Sequence, residues 1–242
     1  MPRASWWVTA LGLLAAAVAL DSSKPFVSVT AVDAWWLYIG EVAGSRAESA
    51  AHMRDACTGA GFTVLRVSAT SFWPDIMRAT WFANRTAYLE LFDTFINDAA
   101  AANCSVLLDL FWNPFMFADA VGEPLGVSMD LTRPSLARTA MLDFAGALVT
   151  RYAHTRTVAG WEWGNEWNLL VDLNMTAQQP ALAPGRGTPA SRSAADNFST
   201  DGLMGLMQVV TTAVTAADPL QRPAYMCIDI HEQPVLCAAA MA

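Results

Sequence analysis

The sequence predicts an α/β fold in which about five βα units build the first part of a (β/α)8 TIM barrel. Three observations predict it. From about Phe26 onward, short β-rich runs alternate with helical patterns of period near 3.6, the rhythm of a parallel sheet with crossover helices. The run from Ser105 to Phe111 is almost continuously apolar, as a parallel strand buried on both faces requires. A polar pair, Asn165 and Glu166, directly follows a strand candidate, where a barrel carries its chemistry.

Taken in order, residues 1–20 read as a signal peptide, with one cation at Arg3, an apolar run from Trp6 to Leu20 and small residues at Ala17 and Ala19. The mature domain is then 21–242. Its first strand is expected over Phe26 to Val32, followed by a helix that Ser45 and Glu48 open as a capping box and Gly59 stops. A second strand spans Phe62 to Ala69. Leu89, Phe92, Phe95, Ile96 and Ala99 then recur at helical spacing behind Asn84 and Thr86. The third strand is Ser105 to Phe111. Thr132 and Pro134 sit at cap and first-turn positions of a helix running to about Ala153, and Val158 to Trp163 forms strand four. Asn174 to Thr200 lacks periodicity and reads as a long surface loop, before a helix from Asp201 to Ala217 and a fifth strand from Ala224 to Ile230. Only His231 to Ala242 follow, fewer than the roughly 30 residues of a further βα unit, so the barrel is expected to be incomplete in this chain.

Composition narrows the function. The net charge is −8 with no Lys/Arg cluster, which repels a phosphate backbone and excludes nucleic acid as a partner. No second long apolar run follows Leu20, so no membrane association is expected after the leader is removed. Four N-x-[ST] sequons, at Asn84, Asn103, Asn174 and Asn197, accompany the leader and point to a secreted, extracellular glycoprotein. Cys57, Cys104, Cys227 and Cys237 lack the C-x-x-C spacing of zinc or redox motifs and fit one or two disulfides; the sequence leaves their connectivity open, with Cys57, near a helix end, and Cys104, just before a strand, able to meet across neighbouring units. An acidic, tryptophan-rich chain suits neutral sugars, whose ring faces stack on aromatic side chains.

The most informative segment is Trp161-Glu162-Trp163-Gly164-Asn165-Glu166-Trp167-Asn168-Leu169. A glutamate at the end of a strand, flanked by tryptophans that lower local polarity, has the setting of a general acid. The segment resembles the strand-four motif W-E-x-x-N-E of clan-A retaining glycoside hydrolases, notably the cellulase and β-mannanase-like family 5. Gly61-Phe-Thr-Val-Leu-Arg-Val67 is similar to that family's strand-two pattern with its arginine, Val106 to Leu110 to strand three, and Ala31 to Trp36 to the segment after strand one. The resemblance implies that Glu166 is the acid/base carboxyl, that Asn165 hydrogen-bonds the 2-hydroxyl of the sugar being cleaved and that Arg66 stands near the nucleophile. The substrate would be a β-linked polysaccharide or oligosaccharide.

The family places its second carboxylate at the end of strand seven, beyond the strands found here, so the nucleophile is expected to be absent from this chain. Glu232 is the only glutamate after Glu166 and follows the wrong strand; Asp229 and His231 beside it are candidates for lining the site. Where many family members carry a histidine after strand three, this chain has Trp112 and Asn113, which become candidate sugar contacts together with Trp167; Trp35 and Trp36 are further candidate stacking surfaces. Asp33 and Glu162 read as structural. No cofactor or metal is expected, because His52, His154 and His231 are scattered and His231 lacks the second histidine of an H-E-x-x-H motif. Oligomeric state has no signal in the sequence. The alternative reading is a secreted, catalytically inactive barrel fragment that binds carbohydrate.

Overall fold

The computed structural model describes residues 27–177, 186–228 and 236–239. The leader and the candidates Asp229, His231 and Glu232 lie outside these residues. Six strands, β1 (Ser28–Thr30), β2 (Val64–Ser68), β3 (Ser105–Asp109), β4 (Val158–Asn165), β5 (Ala224–Ile228) and β6 (Leu236–Ala239), form one sheet in chain order. β1 to β5 are parallel and β6 is antiparallel to β5. β6 was not expected from the sequence. The seven residues between the end of β5 and the start of β6 are too few for the crossover that a parallel neighbour needs.

Helices α1 (Asp33–Trp36), α2 (Arg46–Arg54), α3 (Pro74–Met77), α4 (Arg85–Ala101), α5 (Met116–Val121), α6 (Leu125–Met129), α7 (Leu136–Arg151) and α8 (Thr200–Ala217) fill the connections. The predicted capping box of α2 is present, with Ser45 accepting from Glu48 N and Glu48 accepting from Ser45 N. Asn84 caps α4 by accepting from Ala87 N. At α7 the cap is Ser135 rather than Thr132: Ser135 Oγ accepts from Arg138 N at 3.0 Å, while Thr132 donates to Asp130 in a turn before the helix. The short helices α1, α3, α5 and α6 carry too few turns to show a period in the sequence.

Strand alternation sorts the side chains. Leu65 and Val67 of β2, Val106 and Leu108 of β3, and Trp161 and Trp163 of β4 join a core with Phe92 and Phe95 of α4, Phe144 and Leu148 of α7, and Leu206 and Val210 of α8. Arg66, Asp109 and Glu162 alternate with these residues and meet one another on the opposite face of the sheet. A disulfide joins Cys57, in a π-helical turn after α2, to Cys104, just before β3. Among the described residues no helix is long and apolar enough to cross a membrane.

Candidate active site

Arg66, Asp109 and Glu162 converge because of register. Asp109 pairs with Glu162 across β3 and β4, and Arg66 stands on β2 opposite Leu107, one layer below. Arg66 donates from Nε to Glu162 Oε2 and from Nη2 to Glu162 Oε1, both at 2.6 Å, a side-on bidentate pair. The same Nη2 donates to Asn165 Oδ1 at 2.7 Å and lies 3.7 Å from Asp109 Oδ2. The guanidinium also stacks over the Trp112 ring, 4.5 Å from its centroid.

Two carboxyls thus face one guanidinium in a buried setting. Burial is the largest influence on Asp109, and together with the neighbouring Glu162 it holds the carboxyl well above the usual range, against the opposing pull of Arg66 and the Phe111 N–H. Its Oδ1 accepts from Phe111 N at 2.8 Å, whereas its buried Oδ2 has no hydrogen-bond partner. Of the two carboxyls on Arg66, Asp109 is the one whose burial most favours the protonated form. Burial works against the charge of Arg66, but the Glu162 hydrogen bonds and the charges of Glu162, Asp109 and Glu166 outweigh it and raise its pKa. The influence of Glu166 puts that carboxylate within electrostatic reach of the cluster.

Glu166 itself follows β4 with φ of 56° and ψ of 26°, a left-handed conformation uncommon outside glycine, and its carbonyl accepts from Leu169 N as a short 3-10 turn begins. Gly164 lets the Trp167 ring pack close to the strand: a Cβ there would meet the ring at 3.1–3.2 Å, tighter than ordinary contact. Strain of this kind is held only where surroundings over-determine it, and Trp167 supplies them, with its Nε1 donating to Phe111 O at 3.0 Å. The result is a half-buried Glu166 beside a half-buried Asn165 at the C-terminal end of β4.

Not every predicted site residue is placed to touch a substrate. Trp167 is fully buried against Trp163 and Phe111, so its ring is a structural wedge and not a sugar-stacking surface. The tryptophans expected to lower polarity around Glu166 turn into the core instead, because residues alternating with Glu162 point to the helix layer. Asn113 is buried as a turn residue, accepting from Phe115 N and donating from Nδ2 to Phe72 O, which ties the rims of β3 and β2 together. Trp35 is buried among Tyr88, Phe92 and Phe95. Trp112 and Trp36 are half-buried and remain at the rim.

Glu162, read as structural from the sequence, is fully buried and holds Arg66, and Asp109 beside it was not singled out as a candidate. The available signal was a lone acid in each of two otherwise apolar strands, one of which faces the strand-two arginine. Among the described residues no cluster of His, Cys, Asp and Glu is arranged to hold a metal ion. A surface cleft of about 510 Å³ beside α6, lined by Met129, Asp130, Phe198 and Ser199, includes none of the residues around Arg66.

No family model matches the chain, and no curated protein matches it in sequence. Solved structures do match it. An endo-1,4-beta-mannanase from Rhizomucor miehei superposes with a TM-score of 0.53 at 13% identity, over 82% of this chain and 55% of the other. A glycoside hydrolase family 5 mannosidase from the same organism gives 0.58 at 12% identity, over 87% and 53%. GH5_18 from Streptomyces cattleya, in complex with Manb1-4GlcNAc, gives 0.57 at 13% identity, over 85% and 45%. The chain therefore has the fold of the family 5 glycoside hydrolase barrels, and it spans about half the length of these structures.

Proposed function

We propose that this chain forms part of a secreted retaining hydrolase of β-linked polysaccharides or oligosaccharides, with Glu166 as its acid/base carboxyl. The observation that carries the proposal is the placement of Glu166. It sits half-exposed in a strained turn at the C-terminal end of β4, next to Asn165, whose amide is held by Arg66. In the reaction, Glu166 protonates the departing glycosidic oxygen while a second carboxylate attacks the anomeric carbon. Glu166 then takes a proton from the water that releases the glycosyl-enzyme. Asn165 binds the 2-hydroxyl, Arg66 stands beside the nucleophile and Trp112 offers a sugar-stacking face.

Secretion is part of the same reading. All four sequon asparagines are exposed, and the Cys57–Cys104 disulfide suits an oxidising compartment. A second reading, a sugar-binding barrel without hydrolysis, is favoured by one observation: Asp109 and Glu162, the two carboxyls on Arg66, are fully buried, so neither offers a nucleophile.

The test is incubation of the native protein with soluble β-1,4-mannan and β-1,4-glucan, following new reducing ends by proton NMR. Initial release of the β-anomer is expected. Initial release of the α-anomer contradicts retention, and sugar binding without hydrolysis selects the second reading.

A further inference from the structure

Arginine has only donors, so the Asn165 atom that meets Arg66 Nη2 at 2.7 Å has to be the amide oxygen. This fixes the amide without reference to any ligand. Its NH2 group is directed away from Arg66 and is available as a donor. What holds Arg66 in place is Glu162, through two bonds of 2.6 Å from a fully buried carboxylate. A competitor stands by, because Asp109 Oδ2 is buried without a hydrogen-bond partner, 3.7 Å from the same Nη2.

We propose that Glu162 is a positioning residue, which clamps Arg66 on the Asn165 side of the cluster and thereby presents the Asn165 amide to substrate as a hydrogen-bond donor only. The proposal rests on the sugar-hydrolase reading for the identity of the substrate but not for the clamp itself. As a donor, the amide recognises a lone pair, such as that of a ring hydroxyl oxygen. With Glu162 neutralised, the guanidinium is free to turn toward Asp109, and the Asn165 oxygen loses its partner. The amide can then rotate and offer its oxygen or its nitrogen equally.

Two measurements test this. In the full chain labelled with 15N-asparagine, wild-type Asn165 is expected to give one sharp side-chain amide pair. Glu162→Gln is expected to shift and broaden it, and Glu162→Asp, which keeps the carboxylate, is expected to restore it in part. An Asn165 signal that is unchanged in Glu162→Gln overturns the proposal, whatever the chain does with sugars.

The second measurement is affinity for β-1,4-mannotetraose, read by tryptophan fluorescence. Glu162→Gln and Asn165→Ala are each expected to weaken binding by about tenfold, the equivalent of one hydrogen bond, and the double variant by no more than either alone. Additive losses overturn the proposal, because a general loosening of the fold would not depend on Asn165. If the wild type does not bind the probe, a mannan substrate is ruled out and the amide signal alone decides the clamp.

Discussion

At the scale of single residues, the cluster on Arg66 makes a sharp prediction about Asp109. A carboxyl that keeps its proton in the fold and loses it in the unfolded chain stabilises the protein fully below the unfolded pKa, and that contribution is lost as pH rises through the higher folded value. Asn mimics the protonated acid in shape. Asp109→Asn is therefore expected to match or exceed the wild-type melting temperature at neutral pH and to flatten its fall with rising pH. Asp109→Ala, which strands the Phe111 N–H, is expected to cost about 1–3 kcal/mol in denaturant unfolding. Asn165 and Glu166 were legible in the sequence because adjacent residues at a strand end share one rim. Asp109 and Glu162 were not, because they meet only through register between strands about 50 residues apart. The burial of Trp167 was equally hidden: an indole just past a strand can turn to the core or the cleft, and its contacts with Trp163, Phe111 and the Phe111 carbonyl lie far away in sequence or arise only in the fold.

At the scale of elements, strands and long helices were readable from their periods, and the loops between them were not. The stretch from Asn174 to Thr200 lacks periodicity, yet its described residues are pinned by side chains: Arg186 to Asp75, Arg192 to Asp119 and Asp196 to the Leu125 N–H. These pairings join positions far apart in the chain, which no local pattern records. Arg222 does similar work for α7, β4 and α8. It donates to the carbonyls of Tyr152, Ala153, Thr155 and Val158 and to Asp218, which also accepts from Trp161 Nε1. Arg222→Met is expected to destabilise by about 3–5 kcal/mol, the cost of leaving a buried carboxylate unpaired, as read by denaturant unfolding. The loop after β2 hangs on Glu41, whose carboxylate accepts from Phe72 N. Burial pushes this carboxyl up to about 7, only partly opposed by the Phe72 N–H and Arg186. Because the folded value is raised, its stabilising contribution is complete below about pH 4.5 and disappears as pH rises through about 7. Glu41→Gln is expected to remove that part of the pH dependence of melting.

At the scale of the whole molecule, the parallel order β1 to β5 and the rim location of Glu166 were both visible from the alternation of strand and helix patterns. The antiparallel β6 was not, since a four-residue strand without a crossover carries no periodic signal. The pairing of Cys57 with Cys104 was one of the options that the sequence left open, and the fold selects it by bringing the two neighbouring βα units together. It closes a loop with a sequence separation of 47, and its reduction is expected to lower stability by about 4 kcal/mol in the chain-entropy limit. The same sheet places Glu166 just past the C-terminal end of β4.

Protonation by Glu166 is tested most directly by comparing Glu166→Gln with wild type on two β-glycosides of the same sugar. One should carry a 4-nitrophenolate leaving group, which departs without a proton, and the other a simple alcohol. The variant is expected to lose about 10²–10⁴-fold in rate of bond cleavage on the alkyl glycoside and far less on the nitrophenyl one. Equal losses on both, or undiminished cleavage of the alkyl glycoside, would contradict the assignment of Glu166 as the acid/base.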